Sequence, residues 1–127
     1  MKAKDVIIKF LEDRGLRYSI QDDNVLFKYQ LVNYVMINNS NEDLLQLVML
    51  FFDVTPENHL QALSAVNEIN QMKAIVKLTV VDDSIWVNIE DIVNDNYDVD
   101  KLEKYFDLME NAVKAFYDYM KNNSTEK

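Results

Sequence analysis

Asp43-Leu44-Leu45-Gln46-Leu47-Val48-Met49-Leu50-Phe51-Phe52-Asp53-Val54 is the stretch whose reading decides the fold. Nine of its twelve residues are apolar, and between Leu44 and Phe52 the only polar side chain is Gln46. A run that is apolar on both parities predicts a strand with both faces covered, or with one face kept for a partner. Thr55-Pro56-Glu57 follows and predicts a helix start. Thr55 supplies an N-cap, Pro56 suits the first helical position, and Glu57 complements the helix dipole.

Upstream of this strand, Ala3 to Arg14 has apolar residues at helical spacing (Val6, Ile7, Phe10, Leu11), and Gly15 stands where a helix C′ residue takes positive φ. Leu16, Tyr18 and Ile20 alternate with polar residues, which predicts a half-buried strand. The turn Asp22-Asp23-Asn24 leads into a second strand, Val25 to Leu31, with a further short turn at Asn33 and a third strand from Tyr34 to Asn38. Downstream, a helix to about Gln71 is expected to bury Leu60, Leu63, Val66 and Ile69, with Ala62 and Ala65 at its flanks. Met72-Lys73-Ala74 connects it to a strand hairpin, Ile75–Val81 and Ile85–Ile89, turning at Asp82-Asp83-Ser84. Asp98 or Asp100 caps a last helix that runs to about Lys121, with 122–127 as a flexible tail. The expected fold is α+β in the order α-ββββ-α-ββ-α, one domain over 1–121. Turns this short between strands forbid parallel crossovers, so an antiparallel sheet of five to six strands packed by helices follows.

Composition narrows the function classes. With 127 residues, 49% of them hydrophobic, the chain can bury a sizeable core. It has no cysteine, which excludes disulfides, thiolate metal sites and thiol nucleophiles. The start, MKAKDVIIKFLEDRG, does not read as a signal peptide, and no apolar run approaches a membrane span, so a cytoplasmic location is expected. The net charge of −9 argues against nucleic acid or an anionic membrane as the main partner. Residues 82–110 carry ten acids against two lysines, whereas 1–17 carry five bases against three acids.

Catalytic and metal chemistry find no constellation. His59 is the only histidine and stands alone in a first helical turn. The run Asn94 to Asp100 fails as a calcium loop in either register, because neither the glycine nor the distal glutamate falls in place. The pairs Asp22-Asp23 and Asp82-Asp83 fall in turns, away from any cleft where acid–base pairs work. One glycine in the chain leaves no room for a phosphate-binding or dinucleotide motif. No catalytic residue, metal or cofactor is expected.

Four pieces in order carry a family resemblance. They are a first helix ending in Arg14-Gly15-Leu16-Arg17-Tyr18, the hairpin Ile20 to Phe27, a helix with Ala65-Val66-Asn67-Glu68-Ile69-Asn70 leading into the Asp82-Asp83 hairpin, and a long C-terminal amphipathic helix. In these pieces the chain resembles the YbjN family, labelled bacterial sensory transduction regulators, over roughly residues 3–121, and its fold looks like that of type III secretion chaperones. The resemblance implies a non-enzymatic protein-binding module, homodimeric, in the bacterial cytosol. It assigns the dimer contact to the middle helix or a nearby strand, and a client segment to exposed apolar sheet.

The surface residues expected to serve a partner or a second copy are therefore Leu60, Leu63 and Val66 on the middle helix, Val48, Leu50 and Phe52 on the long strand, and Trp86 on the last hairpin. The alternative is a ligand-sensing domain with an apolar pocket between sheet and helices, lined by Phe27, Tyr29, Trp86 and Tyr105.

Overall fold

The computed structural model describes residues 2–72, 75–94 and 96–124. Three helices and six strands appear in the expected order: α1 (Ala3–Asp13), β1 (Tyr18–Gln21), β2 (Asn24–Tyr29), β3 (Val32–Met36), β4 (Leu44–Asp53), α2 (His59–Met72), β5 (Lys77–Val81), β6 (Ser84–Ile92) and α3 (Lys101–Ser124). The strands form one antiparallel sheet in the order β1-β2-β3-β4-β6-β5. The long strand β4 lies inside it and pairs with β6 along most of its length.

Helix α1 ends in a Schellman motif. The Gly15 N–H donates to Glu12 O at 3.1 Å and the Leu16 N–H to Leu11 O at 2.9 Å, with Gly15 at φ +67°. The β1–β2 hairpin closes with Asp22 and Asp23 both at positive φ, the backbone that matches the twist of the flanking strands. The β2–β3 turn falls on Gln30-Leu31, both also at positive φ, and not at the expected Asn33. Neither residue is a turn former by composition. The register that buries Tyr34 and Met36 on one face decides the position, leaving Leu31 at the tip 90% exposed.

All three helices cover the same face of the sheet. Val6, Ile7, Phe10 and Leu11 of α1, Ala62, Ala65 and Ile69 of α2, and Leu102, Phe106, Met109, Ala112 and Phe116 of α3 form one core with the inward residues of the strands. Phe106 sits at its centre, 4.5 Å from the Tyr29 ring, 4.8 Å from Tyr34 and 5.7 Å from Phe10. At the other end of α3, Phe116 packs on Phe51 and Phe52 at 5.2 and 4.8 Å. A bulge between Leu50 and Phe52 in the β4–β6 pairing puts these two consecutive rings against the same helix, which strict alternation would forbid.

One helix start differs from expectation, and the other keeps the expected Asp98. Asn58, not Thr55, opens α2. Pro56 to Asn58 form a turn in which the Thr55 N–H donates to the Asn58 side-chain oxygen at 2.8 Å, and Asn58 O accepts the Ala62 N–H at 2.8 Å. Before α3, the Asp98 side chain accepts the Asp100 N–H at 3.0 Å in the turn that leads into the helix. Helix α3 then continues past Lys121 to Ser124. Of the expected connection Met72-Lys73-Ala74, positions 73 and 74 lie outside the described residues, as do 125–127 of the expected tail.

Candidate functional site

The face of the sheet opposite the helices is uncovered. The register places Leu26, Val35, Val48 and Asn88 side by side across β2, β3, β4 and β6, with Leu50 opposite Trp86 in the next row. Leu26, Val35, Ile37, Val48, Leu50 and Trp86 line a concavity of about 330 Å³ on this face. A second concavity, of about 580 Å³, adjoins it toward β1, shares Leu26 and Val35, and is also lined by Arg17 and Lys28. Val48 is only 4% exposed, yet it belongs to this face and not to the core. Its apolar neighbours shield it, while Leu50 remains 58% exposed.

The rim of this apolar centre is made of amides and hydroxyls, with the Asp22 carboxylate beside the β1–β2 turn. Asn88 donates to Thr79 Oγ1 at 2.8 Å and to Lys77 O at 3.3 Å. Near the other side, Asn39 donates to the Gln46 side chain at 3.3 Å, and Gln21 and Asn24 line the concavity. Amide side chains donate and accept, so such a rim can meet a peptide backbone in either orientation.

A second apolar surface lies on α2, whose rotation keeps Ile69 and Val66 against the core as expected but gives the inner positions of Leu60 and Leu63 to the flanking alanines. Ala62, Ala65 and Ile69 face inward, Val66 is half-buried against the core, and Leu60 and Leu63 point out at 80% and 38% exposure. Two polar ties set this rotation. Gln61 donates to Met120 O at 2.9 Å, and Asn70 pairs with Leu78, accepting its N–H at 2.7 Å and donating to its carbonyl at 2.9 Å. Between these ties the small alanines let α2 lie close to its neighbours. The Asn70 amide also takes up the backbone groups of Leu78 on the outer edge of β5, where an added strand would otherwise pair.

Of the expected surface residues, Val48, Leu50 and Trp86 come together on the open sheet face. Leu60 and Leu63 form a separate patch on α2. Phe52 belongs to neither, because the bulge turns it onto Phe116. Leu26, Val35 and Ile37 also line the open face and were missing from the expected set. Their signal was present in Val25-Leu26-Phe27 and Tyr34-Val35-Met36-Ile37, two more runs apolar on both parities.

The four residues expected to line an internal pocket do not share one. Phe27 stacks on Tyr34 and Tyr29 on Phe106 within the core, Tyr105 donates to Asp91, and Trp86 lies across the sheet. The loop tested for calcium uses its oxygens locally, the Asn94 side chain accepting the Asn96 N–H at 3.0 Å, while Asp95 lies outside the described residues. The described residues contain no cluster of three potential metal ligands. The N-terminal bases are mostly spoken for. Lys2 pairs with Glu42 at 3.4 Å, Lys4 with Asp23 at 3.7 Å, and Arg14 with Glu103. The acids of 82–110 are dispersed, Asp82 and Asp83 in the turn before β6 and Glu90 and Asp91 at its far end. No described helix is long and apolar enough to cross a membrane.

A family model, YbjN, described as "Putative bacterial sensory transduction regulator", matches residues 3–122. Among solved structures, YbjN from E. coli superposes with a TM-score of 0.65 at 14% identity, over 94% of this chain and 90% of that one. An uncharacterized protein from Methanothermobacter thermautotrophicus gives 0.66 at 16% identity, over 95% and 98%. The Yersinia pestis type III secretion chaperone SycH, crystallised in complex with a stable fragment of YscM2, gives 0.63 at 13% identity, over 89% and 98%. At these identities the likeness is one of fold. No curated protein sequence matches the chain.

Proposed function

Since the chain belongs to the YbjN family, we propose that it is a non-enzymatic, regulatory or chaperone-like module that holds a segment of a partner protein on the open face of its sheet. The observation that carries this reading is the uncovered apolar centre formed by Leu26, Val35, Val48, Leu50 and Trp86. A polar rim around an aromatic and aliphatic centre is the anatomy of a protein-binding patch. The secretion chaperone of the same fold was crystallised with a fragment of another protein, which agrees with this use of the architecture. The proposed setting is the cytoplasm.

Helix α2 is assigned to a second copy of the chain. Its outward side carries Leu60 and Leu63 with Ser64, Asn67, Glu68 and Gln71; covering Leu60, 80% exposed, contributes most of the roughly 1.5–3 kcal/mol of a fully buried leucine, and Leu63, 38% exposed, less than half of it. Light scattering at several concentrations tests this. A dimer for the native chain and a folded monomer for Leu60→Asp is the expected pair of results, and a native monomer at all concentrations refutes the assignment.

For the binding face, a displayed library of random twelve-residue peptides is selected on the native protein and on Leu50→Asp. Leu50 is exposed enough for the variant to fold. Peptides rich in apolar residues are expected on the native protein and not on the variant. Equal enrichment on both, or none on either, refutes the reading.

A further inference from the structure

The open face carries opposite charges at its two ends, the Asp22 carboxylate by the β1–β2 turn and two cations at the other end. Arg17 and Lys28 both line the concavity toward β1. The β1–β2 register pairs Tyr18 with Phe27, so its continuation sets Arg17 directly opposite Lys28. Like charges facing each other across two strands are destabilising. Both side chains are exposed, and among the described residues neither makes an ion pair or a side-chain hydrogen bond. The contrast is with Lys2, Lys4 and Arg14, each of which has an acidic partner. What sets Arg17 and Lys28 apart is their place, facing each other across two strands and lining the apolar groove together.

We infer that the segment held on the open face is an acidic–apolar peptide of a partner protein. Its apolar side chains lie over Val35, Val48, Leu50 and Trp86, and its carboxylates meet Arg17 and Lys28. The inference rests on the binding-face reading above and names the chemistry of what binds there. The overall charge of −9 would by itself suggest a basic partner. A docked segment responds instead to the charges within about a Debye length, roughly 8 Å at physiological salt, and at this end of the groove those are positive. Guanidinium and ammonium groups at a rim act on partner choice and association rate more than on total affinity.

The test extends the peptide selection to a third protein, Arg17→Glu/Lys28→Glu. Both sites are exposed, so circular dichroism and the melting temperature should match those of the native chain. Peptides selected on the native protein are expected to carry Asp or Glu beside the apolar residues. A synthetic copy of an enriched peptide should lose about tenfold in affinity to the charge-reversed protein at low salt, the size expected of two rim ion pairs. Apolar peptides without an acidic bias, or with a bias unchanged on the charge-reversed protein, overturn this inference while leaving the binding face standing. No enrichment on the native protein above Leu50→Asp overturns both.

Discussion

Single residues account for the sharpest local features. Gly15 holds φ +67° with nothing within 4 Å of where a Cβ would sit, so its backbone conformation alone demands glycine. Gly15→Ala is expected to destabilise the fold by about 1 kcal/mol, read as a lower denaturant midpoint with unchanged slope. The Tyr34 hydroxyl is buried with no protein hydrogen-bond partner, among Phe27, Phe106 and Tyr29. An unsatisfied buried polar group carries a penalty, so Tyr34→Phe is expected to stabilise the protein by about 1 kcal/mol in the same measurement. Leu31 shows the limit of local reading. Nothing about leucine predicts positive φ, and only the pairing of Tyr29 with Val32 places it in the turn.

At the scale of elements, the helices divide by how their apolar residues are spaced. Helix α1 buries the stripe expected from periodicity, and α3, expected to be amphipathic, buries Leu102, Phe106, Met109, Ala112 and Phe116, because large residues occupy one face and charged ones the other. Helix α2 has no such contrast. It carries leucine on one side, alanine on the other and only one formal charge, Glu68, so periodicity could not set its rotation, and the Gln61 and Asn70 hydrogen bonds do. The pair of facing alanines gives way to bulk again at α3, where Phe106 joins α1 to β2 and β3. Phe106→Ala is expected to cost about 3–5 kcal/mol, the range for emptying a fully buried aromatic site, and calorimetry should show it as a large fall in melting temperature. Strand β4 was legible as two-sided from its sequence, but its bulge was not. Phe52 therefore reads as a surface candidate in sequence and is packed, half-buried, against the core in three dimensions.

For the molecule as a whole, the buried tyrosines set an alkaline limit on stability. Burial and the hydrogen bond to Asp91 push Tyr105 up to about 12, and burial raises Tyr34 and Tyr97 further. Each is held neutral in the folded state and ionises near 10 when unfolded. Their contribution to stability is thus complete below pH 10 and is lost as pH rises toward 12 and beyond. Denaturation followed at increasing pH should show constant stability up to about 9 and a steep fall above 10, coincident with tyrosinate absorbance; Tyr34→Phe should soften that fall. The sequence by itself determined the α+β class, the element order, the antiparallel pairing, the α1 stop at Gly15 and the apolar faces of α1 and α3, because each rests on periodicity or backbone preference within a few neighbouring residues. Only the tertiary structure decided which side of β4 is core, which side of α2 faces outward, that Trp86 lies across the sheet from Tyr29, and that Arg17 and Lys28 share one end of an open groove. Those depend on which strands pair, where a bulge shifts the register and which face the helices cover, and such relations arise between residues far apart in the chain.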